Sequence, residues 1–118
     1  MAIKSSLGIS AETAGSQALS LCLTTYSTDA PESAHLHERH ETALYVLKGT
    51  LVVYHGDWLQ DFTVVRPGEF FYLPAGAVHA CRTLDPAAPC LALTARSHPG
   101  QREALQLLPE LTPLLDAA

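Results

Sequence analysis

Cations are few in this chain, and they do not cluster. The seven Lys and Arg residues (Lys4, Arg39, Lys48, Arg66, Arg82, Arg96 and Arg102) stand singly in a protein of formal net charge −5. No basic stripe is available to follow a phosphate backbone, so nucleic acid is not an expected partner. Long hydrophobic runs are missing as well. The uncharged stretch from Thr13 to Thr28 contains Ser, Thr, Gln and Tyr and stops short of the roughly 18 apolar residues a membrane span needs. The opening Met1-Ala-Ile-Lys-Ser-Ser lacks the apolar centre of a signal peptide. A cytoplasmic protein without a membrane partner is expected. Cysteine is sparse too: Cys22, Cys81 and Cys90 form an odd set with no CxxC pair, so no structural disulfide is expected in a reducing compartment. Neither a solenoid-length repeat nor a low-complexity tract is present.

What remains is the composition of a folded domain. At 118 residues, with 47% hydrophobic and 16% charged side chains, the chain can bury one real core but not two. Strand signals dominate. Residues 18–26 alternate apolar with small polar side chains, which suits a strand with one face inward, and Pro31 separates it from the next strand. Further strands are read over 33–37, 42–47, 51–54, 58–65, 69–73, 79–84 and 90–96, punctuated by Lys48-Gly49, His55-Gly56-Asp57, Pro67-Gly68 and Asp85-Pro86. Only residues 101–115 read as helical, from Leu105, Leu108, Leu111 and Leu115, and Pro109 and Pro113 interrupt them. About eight short strands and almost no helix predict an all-β antiparallel barrel. Its core covers about 18–96 and its irregular or helical tail 97–118, in one domain over 1–118.

Six histidines occur, and three fall within His35-Leu-His37-Glu-Arg-His40. On a strand the i, i+2 spacing points His35 and His37 to one face, where two imidazoles can share a metal ion. His79 is the candidate third ligand, because it opens a strand directly after a Pro/Gly turn. His55 and His98, each beside Gly or Pro in an expected loop, read as surface residues.

With these residues in view, the chain resembles the cupin superfamily, as a small single-domain member. One motif is the His-x-His pair followed by an acidic residue and a strand ending in glycine, His35-Leu-His37-Glu-Arg-His40-Glu41-Thr-Ala-Leu-Tyr-Val-Leu-Lys-Gly49. The other is glycine, five residues, Pro-x-Gly, two residues, His: Gly68-Glu-Phe-Phe-Tyr-Leu-Pro74-Ala-Gly76-Ala-Val-His79. The resemblance implies a jelly-roll barrel, a homodimer, and one divalent metal ion (Fe, Mn, Ni or Zn) on His35, His37 and His79.

One position departs from the pattern. Counting back from Gly49, Thr42 occupies the place of the ligand glutamate, with Glu41 one residue early, and a one-residue slip reverses the face. Either Glu41 or His40 is the candidate fourth ligand. A carboxylate suits Fe(II), Mn(II) or Ni(II), and an all-histidine set leans toward Zn(II), Cu(II) or Ni(II). Cys81 shares the face of His79 and reads as a small buried hydrophobe. Tyr45, Phe62, Phe70 and Tyr72 read as core filling more than pocket lining, and Trp58 suits a subunit contact.

The expected function is a metal-dependent enzyme on a small organic substrate, oxygenase-like with iron and cyclase- or isomerase-like with zinc. A non-catalytic, metal-braced module that binds or senses a small ligand is the alternative. A cavity beside an open coordination position favours the enzyme.

Overall fold

The computed structural model describes residues 3–27, 35–37, 39–99 and 105–108, with the side chains of 3–5, 7, 37 and 105–107 outside that description. In chain order the elements are β1 (Ile3–Ile9), α1 (Ala11–Ala14), β2 (Ser20–Tyr26), β3 (His35–His37), β4 (Thr42–Lys48), β5 (Leu51–His55), β6 (Asp61–Val65), β7 (Phe70–Leu73), β8 (His79–Thr83), β9 (Cys90–Arg96) and β10 (Leu105–Leu107). Two five-stranded sheets form, ordered β1-β2-β9-β4-β7 and β10-β3-β8-β5-β6. Every pairing in them is antiparallel. The jelly roll that the resemblance implies is therefore present, as two hydrogen-bonded sheets that face each other without closing into one ring.

Burial follows the pleat. Ser20, Cys22, Thr24 and Tyr26 of β2, Thr42, Leu44 and Val46 of β4, and Cys90, Ala92 and Thr94 of β9 are buried at every second residue. Of these, Tyr26, Leu44, Val46, Cys90 and Ala92 meet Leu51, Val53, Val65 and Cys81 of the other sheet in one core. Val46, Leu51 and Val53 are fully enclosed, and burial of each stabilises by about 1.5–3 kcal/mol. On β8 both faces are buried, because Leu59, Val78 and Ala80 pack outside the sheet with Leu36, Tyr54 and Leu108.

Three expectations are corrected. The chain around the tail leucines is not helical where it is described: Leu105–Leu107 form β10 and pair with β3 from Leu105↔His37 to Leu107↔His35. An unpaired edge of β3 offers this segment a ladder that outweighs its three- and four-residue leucine spacing. Residues 101–104 and 109–118 of the tail lie outside the described residues. At the other end β1 adds a strand before the expected start of the barrel, and α1 comes after it, capped by Ser10, whose side chain accepts from the Thr13 backbone N–H. Finally, Phe62, Phe70 and Tyr72 do not fill the core. They are exposed because strand parity sets them on outer faces, where the Tyr45 ring also lies 4.7 Å from that of Phe70. Trp58 is 70% exposed. No helix among the described residues is long and apolar enough to cross a membrane.

The connections bring one set of strand ends together. β7 ends at Leu73 and β8 begins at His79, β5 ends at His55 and β6 begins at Asp61, and β3 ends at His37 shortly before Thr42 opens β4. That end of the barrel carries the histidines.

Candidate metal centre

His79 owes its place to the turn before it. Ala77 N–H donates to the Pro74 carbonyl at 3.2 Å, and Gly76 sits third in this four-residue turn with φ +80°, a backbone angle that disfavours other residues. The chain then enters β8 with the His79 ring inward and 4% exposed. Its Nδ1 lies 3.0 Å from the Ala77 carbonyl oxygen. A carbonyl can only accept, so Nδ1 carries the proton and donates, and Nε2 is the ring nitrogen with the lone pair.

His35 stands directly opposite His79 in the β3–β8 ladder and is 8% exposed. The two ring centroids are 4.2 Å apart with planes inclined at 60°. Two neighbouring buried imidazoles on one face form half of a tetrahedral ligand set, or a third of an octahedral one. His37 closes β3 two residues on; its side chain lies outside the described ones. Among the described residues no three His, Cys, Asp or Glu side chains gather closely enough to hold a metal, so the described part of the centre is the pair His35 and His79.

The candidates for a fourth ligand are elsewhere. Glu41 is exposed, and its carboxylate accepts a hydrogen bond from the Tyr72 hydroxyl at 2.5 Å. That bond pushes the Tyr72 phenol above its ordinary range, since ionisation would set a phenolate beside a carboxylate. The His40 ring packs against that of His98, centroids 4.4 Å apart. Neither is brought to the His35–His79 pair. Thr42 turns inward instead: it is 4% exposed, and its Oγ1 is buried without a hydrogen-bond partner among the described residues. Burying such a hydroxyl unsatisfied costs about 1–3 kcal/mol. Two neighbouring buried imidazoles are donors of the type that suits a divalent ion, and the open hydroxyl is a second polar group at the same end of the barrel.

Two residues enlarge the site beyond the sequence reading. His55 is not in a loop. It ends β5 opposite His79, so His35, His79 and His55 form one row across three strands. Its ring reaches across the barrel to within 6.0 Å of the Phe71 ring, and its Nε2 is hydrogen-bonded to Thr63 Oγ1 at 3.0 Å. Strand parity is the signal in the sequence, because His55 comes after inward-facing Leu51 and Val53 at two-residue steps. Arg96 faces Thr42 across the β4–β9 ladder, and no spacing motif marks it. Cys81, two residues beyond His79, packs in the apolar core.

The comparisons with known proteins bear on the family and the fold. A cupin-domain family model matches residues 23–96. No curated protein is a significant match. Among solved structures, the polyketide cyclase RemF of Streptomyces resistomycificus superposes with TM-score 0.76 at 24% identity, over 91% of this chain and 71% of that one. A protein of Klebsiella pneumoniae with a double-stranded β-helix domain gives 0.72 at 15% identity, over 89% and 78%. An oxalate oxidase in complex with the substrate analogue glycolate gives 0.74 at 20% identity. The match covers 92% of this chain but only 56% of the oxidase. At such identities the likeness is one of fold.

Proposed function

The chain belongs to the cupin family, and from that premise we propose that it is a metal-dependent enzyme acting on a small organic substrate, with His35, His37 and His79 holding one divalent ion. The observation that carries the reading is the buried His35–His79 pair, with the His79 tautomer locked by the Ala77 carbonyl. When bound, the ion supplies Lewis-acid or redox chemistry to whatever shares its open positions. The protein's own part is to orient and to exclude water. Phe71, 6.0 Å from the His55 ring, packs with Leu73 against the apolar core, and His55, hydrogen-bonded to Thr63, lies in the same row.

With Glu41 engaged by Tyr72 and His40 against His98, a neutral histidine set is the favoured composition. That set leans toward zinc and cyclase- or isomerase-type chemistry, whereas iron carries the oxygenase reading. A cyclase and an oxidase among the structural neighbours support the coarse class and do not choose within it. A homodimer is the assembly we propose, supported by the exposed Leu23, Phe70 and Tyr72 on the outer face of the first sheet; a monomer in light scattering contradicts it.

The test of the functional reading is elemental analysis of the protein purified from its native source without an affinity tag. Stoichiometric zinc selects Lewis-acid chemistry and stoichiometric iron selects oxygen chemistry. A protein without stoichiometric divalent metal contradicts the enzyme proposed here.

A further inference from the structure

We infer that the end of the barrel away from the histidines carries a second ligand site, a pocket for a small amphipathic anion whose apolar body lies on Leu91 and whose charge meets Lys48. It is separate from the proposed metal centre and does not depend on it.

The floor of the pocket is a row on the outer face of the first sheet. Thr25 of β2 and Lys48 of β4 are both cross-strand partners of Leu91 of β9, and directly opposed residues share a face. Leu91 lies between Cys90 and Ala92, which point into the core, so the row points out. Simple alternation would turn Lys48 inward with Val46, two residues before it. The β4–β9 register shifts between these two residues, and this bulge sets Lys48 on the outer face, where it is exposed. The row continues in register to Lys4 of β1, the partner of Thr25.

The connection from β8 to β9 forms the wall. Ala87, Ala88 and Pro89 stand beside the row and bound with it a cavity of about 360 Å³, within the size range of small-molecule sites. Hydrogen bonds hold this connection in place. The Ala88 N–H donates to the Asp85 carbonyl at 3.0 Å, the Ala87 N–H to the Asp85 carboxylate at 2.9 Å, and the Thr83 hydroxyl to the Ala88 carbonyl at 2.6 Å. Gly49 secures the side next to Lys48: its φ is +75°, and a β-carbon there would collide with the Pro89 carbonyl oxygen, so glycine is what lets the end of β4 close on the loop. A pocket braced in this way loses little freedom when a ligand enters.

The lining identifies the ligand's chemistry. Leu91, the two alanines and Pro89 offer apolar surface, Thr25 a hydroxyl and Lys48 a positive charge, and none of the lining residues is acidic. The loop's own acid, Asp85, has its carboxylate turned to the Ala87 N–H. In a chain of net charge −5, a cation beside an apolar floor favours a molecule that gains from burial and from Coulomb attraction together. An ammonium is a compact point charge that accepts sulfonate, carboxylate or phosphate alike. The apolar body is what separates this ligand from an inorganic anion.

The test titrates toluenesulfonate, and separately its neutral analogue toluenesulfonamide, into the isotope-labelled full chain while backbone amide shifts are followed by NMR. Toluenesulfonate is expected to shift the amides of Thr25, Lys48, Gly49, Ala88 and Leu91 and to leave those of His35 and His79 in place. It is expected to bind about three- to fivefold more tightly than the sulfonamide, the scale of a solvent-exposed ion pair. Lys48→Gln removes that preference, and Ala88→Leu fills the cavity and weakens both compounds about tenfold. Should Ala88→Leu not fold, Lys48→Gln carries the test. Inorganic sulfate is expected to leave the same amides unmoved. Equal affinity for sulfonate and sulfonamide, an unchanged preference in Lys48→Gln, a response to sulfate equal to that to toluenesulfonate, or shifts confined to the histidine end or to Phe70 and Tyr72 overturns the inference.

Discussion

At one end of the interior Val46, Leu51, Val65, Cys90 and Ala92 close against one another, while at the other His35, His79, Thr42, Thr94 and Ser20 turn polar atoms inward. The same strands build both ends. β4 runs from Thr42 to Val46 and beyond, β5 from Leu51 to His55, and β9 from Cys90 to Arg96. Each strand thus anchors itself with apolar side chains at one terminus and is free to carry chemistry at the other. The apolar core and the proposed site are separated by a few residues along these strands, not by domain or by loop.

The largest effect expected from that division is at the apolar end. Leu51→Ala empties a fully enclosed position and should cost about 2–5 kcal/mol in chemical denaturation. Thr42→Val at the polar end should leave the metal-free protein unchanged or more stable by up to about 1 kcal/mol, because it removes a buried hydroxyl without a partner among the described residues. If both substitutions destabilise alike, the two ends do not differ in this way.

A smaller effect distinguishes the ends by pH. Burial pushes the Cys90 thiol up to about 11 from an ordinary value of 9.0. The folded state therefore favours the protonated thiol, and the associated stability is present below about pH 9 and lost as pH rises through about 11. Alkylation of Cys90 at pH 8 should track global unfolding, and fast labelling of the native protein would show the apolar end to be open. The least consequential prediction concerns the outer surface. Tyr72 should titrate above the usual tyrosine range, and Glu41→Gln should bring it back with no loss of metal. Loss of metal in Glu41→Gln would return Glu41 to the ligand set.

Much of this arrangement is legible in the sequence, for identifiable reasons. His35 and His79 stand out because the metal ligation proposed for them would constrain both residue type and spacing, and a Pro/Gly turn that fixes a ring leaves a fixed pattern in the chain. Thr42 is visible as a departure from that pattern, but its inward, unsatisfied hydroxyl depends on packing. At His55 two signals conflict: the adjacent Gly56-Asp57 argues for a turn, while parity with Leu51 and Val53 points the ring inward. The β5–β8 register decides the structure in favour of parity. The aromatic residues mislead for the converse reason: Phe62, Phe70 and Tyr72 have the bulk of core residues, but alternation sets them outside. β10 is not legible from its own residues, since a three-residue strand exists only through the β3 edge it pairs with.

The most direct measurement is the metal stoichiometry of purified His79→Ala beside the wild-type protein, with circular dichroism confirming that both are folded. The account predicts one divalent ion per wild-type chain and none retained by the variant. Full occupancy in folded His79→Ala would contradict it.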